Sequence, residues 1–159
     1  MVLVLLGTQN NSFHRLLEEV EKCINNGIIN EEVIVQAGGT KYNSNNMKIF
    51  ELISNEQLTK YMEQASFIIC HGGVGSIVSS IKLGKKVIAV PRYEKYGEHV
   101  NDHQVQIVQS FNNQGLIEGI ENVEDLSNAI LKITDFKPEK FVSNTENVIN
   151  MITDFIDNN

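Results

Sequence analysis

Short apolar runs alternate with longer amphipathic segments along the 159-residue sequence, and this alternation restricts the possible folds more than any other feature. Four of the runs are predicted as strands: Val2–Leu6, Val33–Ala37, Phe67–Cys70 and Val87–Val90. Phe67–Cys70 is fully apolar, as is typical of a central strand covered on both faces. Strands that alternate with helices in this way indicate βαβ units and a parallel sheet. The sequence therefore predicts an α/β fold with a doubly wound parallel sheet, in a single domain over residues 1–159.

The segments between the strands carry apolar residues at helical spacing, and several of them end at a glycine, as helices often do. They predict helices from about Ser12 to Gly27, from Asn55 as N-cap to Ala65, over Ile77–Leu83, from about Asn101 to Gly115, over Val123–Ile133 and near Asn144 to Ile156. Thr40–Asn46 is predicted as a polar loop, followed by a short element of undecided type over Met47–Ile53. Leu116–Ile117 is predicted as a short strand.

Composition and charge exclude several classes of function. Thirteen Lys and Arg residues against twenty Asp and Glu residues give a net charge of −7, which argues against general binding to nucleic acid or to an anionic membrane. The longest apolar run is far shorter than the ~20 residues of a membrane-spanning helix. Because Met1–Leu6 has neither the basic region nor the cleavage site of a signal peptide, we expect a cytoplasmic protein with reduced, buried Cys23 and Cys70.

The segment His71-Gly72-Gly73-Val74-Gly75-Ser76 lies between a buried strand and a predicted helix. Glycines lack the Cβ atoms that would keep a ligand away from the backbone, and a helix start adds unpaired N–H groups and a positive dipole end. The segment therefore suits a phosphate or diphosphate, with Ser76 as a further hydroxyl donor. It does not match a P-loop, a dinucleotide fingerprint or a nucleophile elbow. A tight turn that binds nothing is the alternative.

A basic stretch follows the glycine-rich segment. Between Lys82 and Lys95, five basic residues and one acidic residue give a local charge of +4 on an acidic chain. Arg92, just past a predicted strand, is the best candidate for contact with an anionic ligand. Lys85 and Lys86, together with Lys82, are equally well explained as cations that complement a helix C-terminus.

Polar residues at the start of the helix near Asn101 form a further candidate site. His99 and His103 are spaced as metal ligands on one helix face, but a third ligand is missing, so no metal is expected. Asp102 and Gln104 can instead bind the hydroxyl groups of a sugar. N-capping by Asn101 or Asp102 is the alternative.

Several motifs, taken in order, resemble the C-terminal, nucleotide-sugar-binding half of GT-B glycosyltransferases, specifically glycosyltransferase family 28. The motifs are Val4-Leu5-Leu6-Gly7-Thr8-Gln9 with Phe13 and Arg15-Leu16, Tyr61-Met62 to Ala65, the 71–76 segment, Lys85, Val90-Pro91-Arg92 and Asp102-His103-Gln104. The resemblance implies a Rossmann-like domain of the GT-B C-terminal type. Within the family, the chain looks like small catalytic subunits of two-part transferases of N-glycan, capsule or exopolysaccharide synthesis.

The resemblance also implies roles for individual residues. The 71–76 segment would bind the diphosphate of UDP, with His71 and Ser76 as catalytic donors, and Asp102 and Gln104 would lie near the donor sugar. Gly7, Thr8 and Gln9 would line the cleft. Many relatives have a Glu three residues after the loop serine, where it can bind ribose hydroxyls, whereas this sequence has Ser79.

The function implied is that of the donor-binding catalytic subunit of an inverting hexosyltransferase, which moves a hexose from a UDP-sugar to a polyprenyl-linked saccharide without a cofactor or metal. A GT-B enzyme has two Rossmann-like halves, so a membrane-anchored partner subunit would supply the acceptor half and bring this chain to the membrane. Either His14 or the partner would supply the general base. The helix at about 144–157 would contact the partner or pack on its own sheet.

Two other functions remain open on the sequence. The chain could be a noncatalytic enhancer subunit that stabilises a partner transferase. It could also be a free-standing nucleotide-binding or hydrolytic domain, although it has no clear nucleophile and base for hydrolysis.

Overall fold

The computed structural model describes residues 1–142, so the helix predicted near Asn144 to Ile156 lies outside the described residues. Its strands are β1 (Val2–Leu5), β2 (Val33–Gln36), β3 (Met47–Phe50), β4 (Phe67–His71), β5 (Val87–Val90) and β6 (Glu118–Gly119). Its α-helices are α1 (His14–Asn25), α2 (Asn55–Gln64), α3 (Val74–Lys82), α4 (His103–Asn113) and α5 (Leu126–Ile133), with 3₁₀ turns at Glu94–Tyr96 and Val123–Asp125. The strands form one six-stranded parallel sheet in the order β3-β2-β1-β4-β5-β6.

Each face of the sheet has its own hydrophobic core, because successive strand residues point to opposite faces. On β1, Val2 and Val4 belong to the core shared with α1 and α5, whereas Leu3 and Leu5 belong to the core shared with α2, α3 and α4. Helices cover both faces, which confirms the predicted doubly wound α/β fold. It also explains why β1 and β5 are apolar at every position and why β2 and β4 are apolar up to their last residues, Gln36 and His71.

The direction in which strands are added reverses between β1 and β4. The chain first builds outward from β1 through β2 to β3, and α2 then returns it to β4 on the other side of β1. Leu5 pairs with Cys70, so the loops that leave the carboxyl ends of β1 and β4 are neighbours. In open α/β sheets such a reversal opens a crevice in which ligands bind.

Helix α3 begins earlier than predicted, and the difference changes the nature of the glycine-rich segment. The sequence predicted a helix over Ile77–Leu83, because glycine and β-branched residues lower helix propensity before it. In the structure the amide of Ile77 donates to the carbonyl of Gly73 at 3.1 Å and closes the first turn. Gly75 and Ser76 therefore belong to the first turn of α3 rather than to a loop.

Two strands, β3 and β6, have weak sequence patterns and are defined by their backbone pairing with neighbouring strands. The element of undecided type is the edge strand β3, in which buried Met47 precedes exposed Lys48. The strand predicted at Leu116–Ile117 occurs two residues later, at Glu118–Gly119. Leu116 and Ile117 are buried, so here side-chain burial and strand pairing fall on neighbouring residues.

The other helix boundaries differ from prediction at their N-termini. The N-cap of α2 is Ser54 rather than Asn55, since the Ser54 hydroxyl accepts from the amide of Gln57 at 3.3 Å. The remaining differences are a start of α1 at His14 instead of near Ser12, a start of α4 at His103 instead of near Asn101, and a 3₁₀ turn in place of the first residues of the helix predicted over Val123–Ile133.

We expect Ser54→Ala to lower the free energy of unfolding by about 1 kcal/mol, because the orphan amide of Gln57 loses its acceptor. Asn55→Ala, at the cap position that the sequence favoured, is the matched control and should change this free energy by less than about 0.5 kcal/mol. Urea unfolding of both variants measures the difference. Equal losses, or a larger loss for Asn55→Ala, would contradict the observed cap.

Candidate functional site

The start of α3 lies at the carboxyl edge of the sheet, directly after β4. Gly72 and Gly73 connect β4 to Val74, the first residue of the helix. Gly73 is the N-cap, and no side chain among residues 1–142 caps this helix end. Within this part of the chain the first amides of α3 therefore remain unpaired, at the positive end of the helix dipole.

The first turn of α3 is accessible to a ligand. Gly75 is exposed, and a Cβ atom built on it would meet no atom within 4 Å. Ser76 is half-buried, and its hydrogen bonds to described residues use its carbonyl rather than its hydroxyl. The backbone amides and the Ser76 hydroxyl thus remain able to donate to an anion.

Two glycines enclose the imidazole of His71. A Cβ atom on Gly7 would lie 2.8 Å from both Cε1 and Nε2 of the ring, and one on Gly73 would lie closer still to Nε2. Gly7 also has a φ of +78°, which side-chain-bearing residues rarely adopt. The loop after β1 and the turn before α3 therefore need glycine where they meet the His71 ring.

The surroundings of His71 fix its protonation state. Nδ1 lies 3.2 Å from the carbonyl oxygen of Leu5, which can only accept, so Nδ1 carries a proton. The pKa of His71 is lowered to about 4, mainly by burial and to a smaller extent by the charge of Arg92, while the bond to Leu5 opposes the shift. At neutral pH the ring is uncharged, and Nε2 is a hydrogen-bond acceptor.

The amide of Gly72 is not available to a ligand, which corrects the expectation of bare amides throughout 72–76. It donates at 3.1 Å to Oε1 of Gln104, which also accepts from the amide of Arg92 at 3.1 Å. A Cβ atom on Gly72 would clash with Gln104 and Val108 of α4. Gln104 is buried and cross-links the ends of β4 and β5, and no hydrogen bond to a residue of 1–142 uses its Nε2.

Arg92 is buried, so in this structure it offers no surface to an anionic ligand. It is 1% exposed, and its guanidinium donates to the carbonyls of Leu6 and Asn11, both at 2.6 Å, and of Glu98 at 3.1 Å. Burial lowers its pKa to about 10, so it remains a cation at neutral pH. The structure makes Arg92 a positioning residue that joins the loops after β1 and β5.

The basic stretch is divided between the two edges of the sheet. Lys85 donates to the carbonyls of Glu63 and Ala65, and Lys86 donates to that of Thr134. Both lysines precede β5, whereas Arg92 follows it. Lys85 and Lys86 therefore lie at the amino edge, away from the start of α3, where they bind carbonyls near the ends of α2 and α5.

An ion pair that the sequence reasoning missed closes the loop after β5. Arg15 Nε lies 2.6 Å from Glu98 Oε1, and Arg15 Nη2 lies 3.0 Å from Oε2 and 2.8 Å from the carbonyl of Pro91. Glu98 Oε2 also accepts from the amide of Tyr93 at 3.0 Å. Arg15 and Glu98 are 83 residues apart, so no local pattern connects them.

The polar residues before α4 organise the same loop. Asp102 is exposed, and its Oδ1 accepts from the amide of Glu94 at 2.8 Å. Asn101 Oδ1 accepts from the amide of His103 at 3.2 Å, so Asn101 rather than Asp102 makes the capping bond. Within residues 1–142, no three His, Cys, Asp or Glu side chains are grouped as metal ligands.

The structure brings Gly7 to His71 but places His14 in another cleft. Thr8 and Gln9 follow Gly7 and are exposed. His14 is exposed on the first turn of α1, in a cleft of about 500 Å³ that Gly38 also lines.

Ser79 is engaged with its own helix. Its hydroxyl donates to the carbonyl of Gly75, one turn earlier in α3. The residue at the position where the resemblance implies a Glu in many relatives thus makes a local bond on the exposed face of the helix.

A doubly wound parallel sheet with a helix start at its switch point defines a Rossmann-like α/β domain. The sequence matches the glycosyltransferase family 28 C-terminal domain over residues 1–158, and the chain belongs to this family. No curated protein sequence matches it.

Solved structures share the fold at low sequence identity. The solution structure of ALG13 is 17% identical with a TM-score of 0.60, covering 94% of this chain and 93% of that one. Acinetobacter baumannii MurG is 17% identical with a TM-score of 0.52, and the "glycotransferase of kitacinnamycin" is 19% identical with a TM-score of 0.62. The match covers 95% of this chain and 49% of MurG, and 83% of this chain and 34% of the kitacinnamycin protein.

The chain therefore spans about half or less of the two longer relatives. None of the helices in the described part of the chain has the length and apolar character to cross a membrane.

We expect ¹⁵N NMR of the His71 ring to show a protonated Nδ1 and an unprotonated Nε2 at neutral pH, with the second proton bound only near pH 4. The folded-state pKa lies below the ordinary value of 6.5, so the unfolded chain binds more protons between these values. The contribution of His71 to stability is complete above pH 6.5 and is lost as the pH falls toward 4. A ring that titrates near 6.5 would contradict the described burial.

Proposed function

We propose that this domain binds a UDP-sugar at the start of α3 and transfers its hexose, with inversion, to a polyprenyl-linked saccharide. Membership of the glycosyltransferase family supports glycosyl transfer as the reaction. The observation that carries the proposal is the uncapped first turn of α3, with Gly75 open to solvent at the switch point of the sheet. Unpaired amides and the dipole at this position suit the diphosphate of the donor.

The chemistry follows from where negative charge develops. As the bond between the sugar and UDP breaks, charge grows on the diphosphate, and the amides of Val74, Gly75 and Ser76 can donate to it without moving. The hydroxyl of Ser76 adds a further donor. Removal of one such donor costs about 10²–10³ in rate where the donor acts in the transition state.

The role of His71 in this step depends on the protonation state of its ring. In the uncharged tautomer its Nε2 cannot donate to a diphosphate. The donor role predicted for His71 therefore requires that the ring gain a proton, which a bound anion favours. Independently of this role, the ring forms the wall between Gly7 and Gly73.

The acceptor side of the reaction needs a general base and an acceptor-binding surface. We propose His14 as the base, because its imidazole is exposed at the carboxyl edge of the sheet. We further propose that a membrane-anchored partner subunit presents the polyprenyl-linked acceptor to this cytoplasmic chain. The similarity to ALG13 over most of both chains shows that another chain of about this size has the same fold.

We expect Gly75→Ala to weaken UDP binding at least about tenfold, because a methyl group in the open space beside the amides obstructs the diphosphate. The same change should leave stability unchanged or raise it by about 0.5 kcal/mol, since alanine is the better helix former. Asn128→Ala, at an exposed position of α5, is the matched control and should bind UDP like the wild type.

Isothermal titration calorimetry with UDP and urea unfolding measure the two effects. Unchanged UDP affinity in a folded Gly75→Ala variant would contradict binding at α3.

We expect His14→Gln to lower kcat by about 10²–10⁴ while UDP affinity stays unchanged, as removal of a general base should. The assay uses the chain together with the subunit that copurifies with it, a UDP-hexose and a polyprenyl-linked saccharide. Lys22→Gln, on the exposed surface of the same helix, is the control. Unchanged kcat in His14→Gln would assign the base to the partner.

A further inference from the structure

A second cleft lies at the carboxyl edge of the sheet beside β2 and β3. Its volume of about 500 Å³ is in the range of small-molecule sites. The side chains that matter for its chemistry are those of His14, Lys41, Tyr42, Asn43 and Glu51. None of the residues 71–76 lines it, so it is separate from the start of α3.

The lining of the cleft is polar but balanced in charge. Lys41 Nζ lies 3.7 Å from Glu51 Oε2, and both side chains are largely exposed. Asn43 adds an exposed amide that can both donate and accept. One cation paired with one anion gives no net attraction for a phosphate or a nucleotide. Such a lining fits a neutral ligand with many hydroxyl groups.

An aromatic wall completes the cleft. The rings of His14 and Tyr42 have centroids 4.9 Å apart and planes at 87°, an edge-to-face arrangement. Tyr42 is half-buried and packs against the core on the α1 side of the sheet, which fixes its position before any ligand binds. A fixed ring can pack against the C–H groups of a sugar while neighbouring polar groups bond to its hydroxyls.

Backbone contacts connect this cleft to the loop beside His71. A Cβ atom on Gly38, which lines the cleft, would lie 2.5 Å from the carbonyl oxygen of Gly7. The amide of Gly39 donates to the carbonyl of Gln9 at 3.1 Å. A ligand in the cleft would thus lie beside the loop whose other side encloses the His71 ring.

We propose that this cleft, lined by His14, Lys41, Tyr42, Asn43 and Glu51, binds a neutral saccharide of the acceptor, so that this chain supplies part of the acceptor site itself. The inference rests on the proposed function and deepens it. It places the acceptor sugar beside the His14 imidazole, whose free nitrogen can take the proton of an attacking hydroxyl.

The test is a titration of the ¹⁵N-labelled full chain, followed by ¹H–¹⁵N NMR, with four separate probes. The probes are a set of methyl β-hexopyranosides, glycerol, inorganic phosphate and UDP. We expect saturable shifts of the Gly38, Tyr42 and Asn43 amides with at least one glycoside. Glycerol and phosphate should not produce them, and UDP should shift the amides of 74–76 instead.

Substitutions at two exposed residues of the cleft test the proposal without disturbing the folded core. We expect Asn43→Ala and Glu51→Gln each to weaken glycoside binding by about two- to tenfold, the effect of losing one hydrogen bond. Asn45→Ala, an exposed residue of the same loop outside the lining, and Glu56→Gln, which belongs to an exposed ion pair on α2, are the matched controls. Both controls should bind the glycoside like the wild type.

The outcomes separate the two proposals. The acceptor cleft would be overturned if no glycoside shifted the cleft amides, if glycerol or phosphate produced the same shifts, or if all four variants bound the glycoside equally well. UDP binding at α3 would stand in each of these cases. UDP that shifts the cleft amides would also overturn the acceptor cleft. UDP that shifts no amide of 74–76 would overturn the proposed function, whatever the glycosides do.

Discussion

The buried guanidinium of Arg92 is the interaction on which the arrangement of the site depends. It donates to the carbonyls of Leu6, Asn11 and Glu98, which belong to the two loops on either side of the crevice. Burying a cation costs free energy unless its N–H donors are hydrogen-bonded, so movement of either loop would leave the buried charge without partners. Of the three nitrogens of this guanidinium, only the buried Nε lacks a partner among residues 1–142. The contact fixes the loop after β1, and with it Gly7, against the ring of His71.

Gln104 also holds neighbouring segments in place, but with the uncharged amide of its side chain. Its Oε1 accepts from the amides that follow β4 and β5, so α4 is attached to both strand ends. These contacts engage the amides of Gly72 and Arg92 beside the start of α3, whereas no hydrogen bond to a residue of 1–142 engages the first amides of α3. Unpaired amides at a helix start suit an anion such as a diphosphate. The family to which the chain belongs is consistent with that use.

The sequence was informative wherever burial and backbone geometry act locally. Strands covered on both faces are largely apolar, so β1, β2, β4 and β5 were predictable, although β2 ends at Gln36 and β4 at His71. The half-exposed edge strand β3 was not predictable in this way. The glycines of the 71–76 segment indicated a turn between a buried strand and a helix, and the structure has this turn between β4 and α3. The sequence could not show which cations are buried. Lys86 and Arg92 belong to the same basic stretch, but they flank the four-residue β5 and therefore lie at opposite edges of the sheet. The pair of Arg15 and Glu98 depends on tertiary structure alone.

The account makes one chain responsible for two adjacent tasks: binding of the leaving diphosphate at α3 and, through the cleft beside β2 and β3, contact with the sugar that receives the hexose. The most direct measurement is a crystal structure of the full chain with UDP bound at saturation. The account predicts that oxygens of the diphosphate lie within hydrogen-bonding distance of the amides of Val74, Gly75 or Ser76. A diphosphate bound elsewhere, with the first turn of α3 left empty, would contradict it.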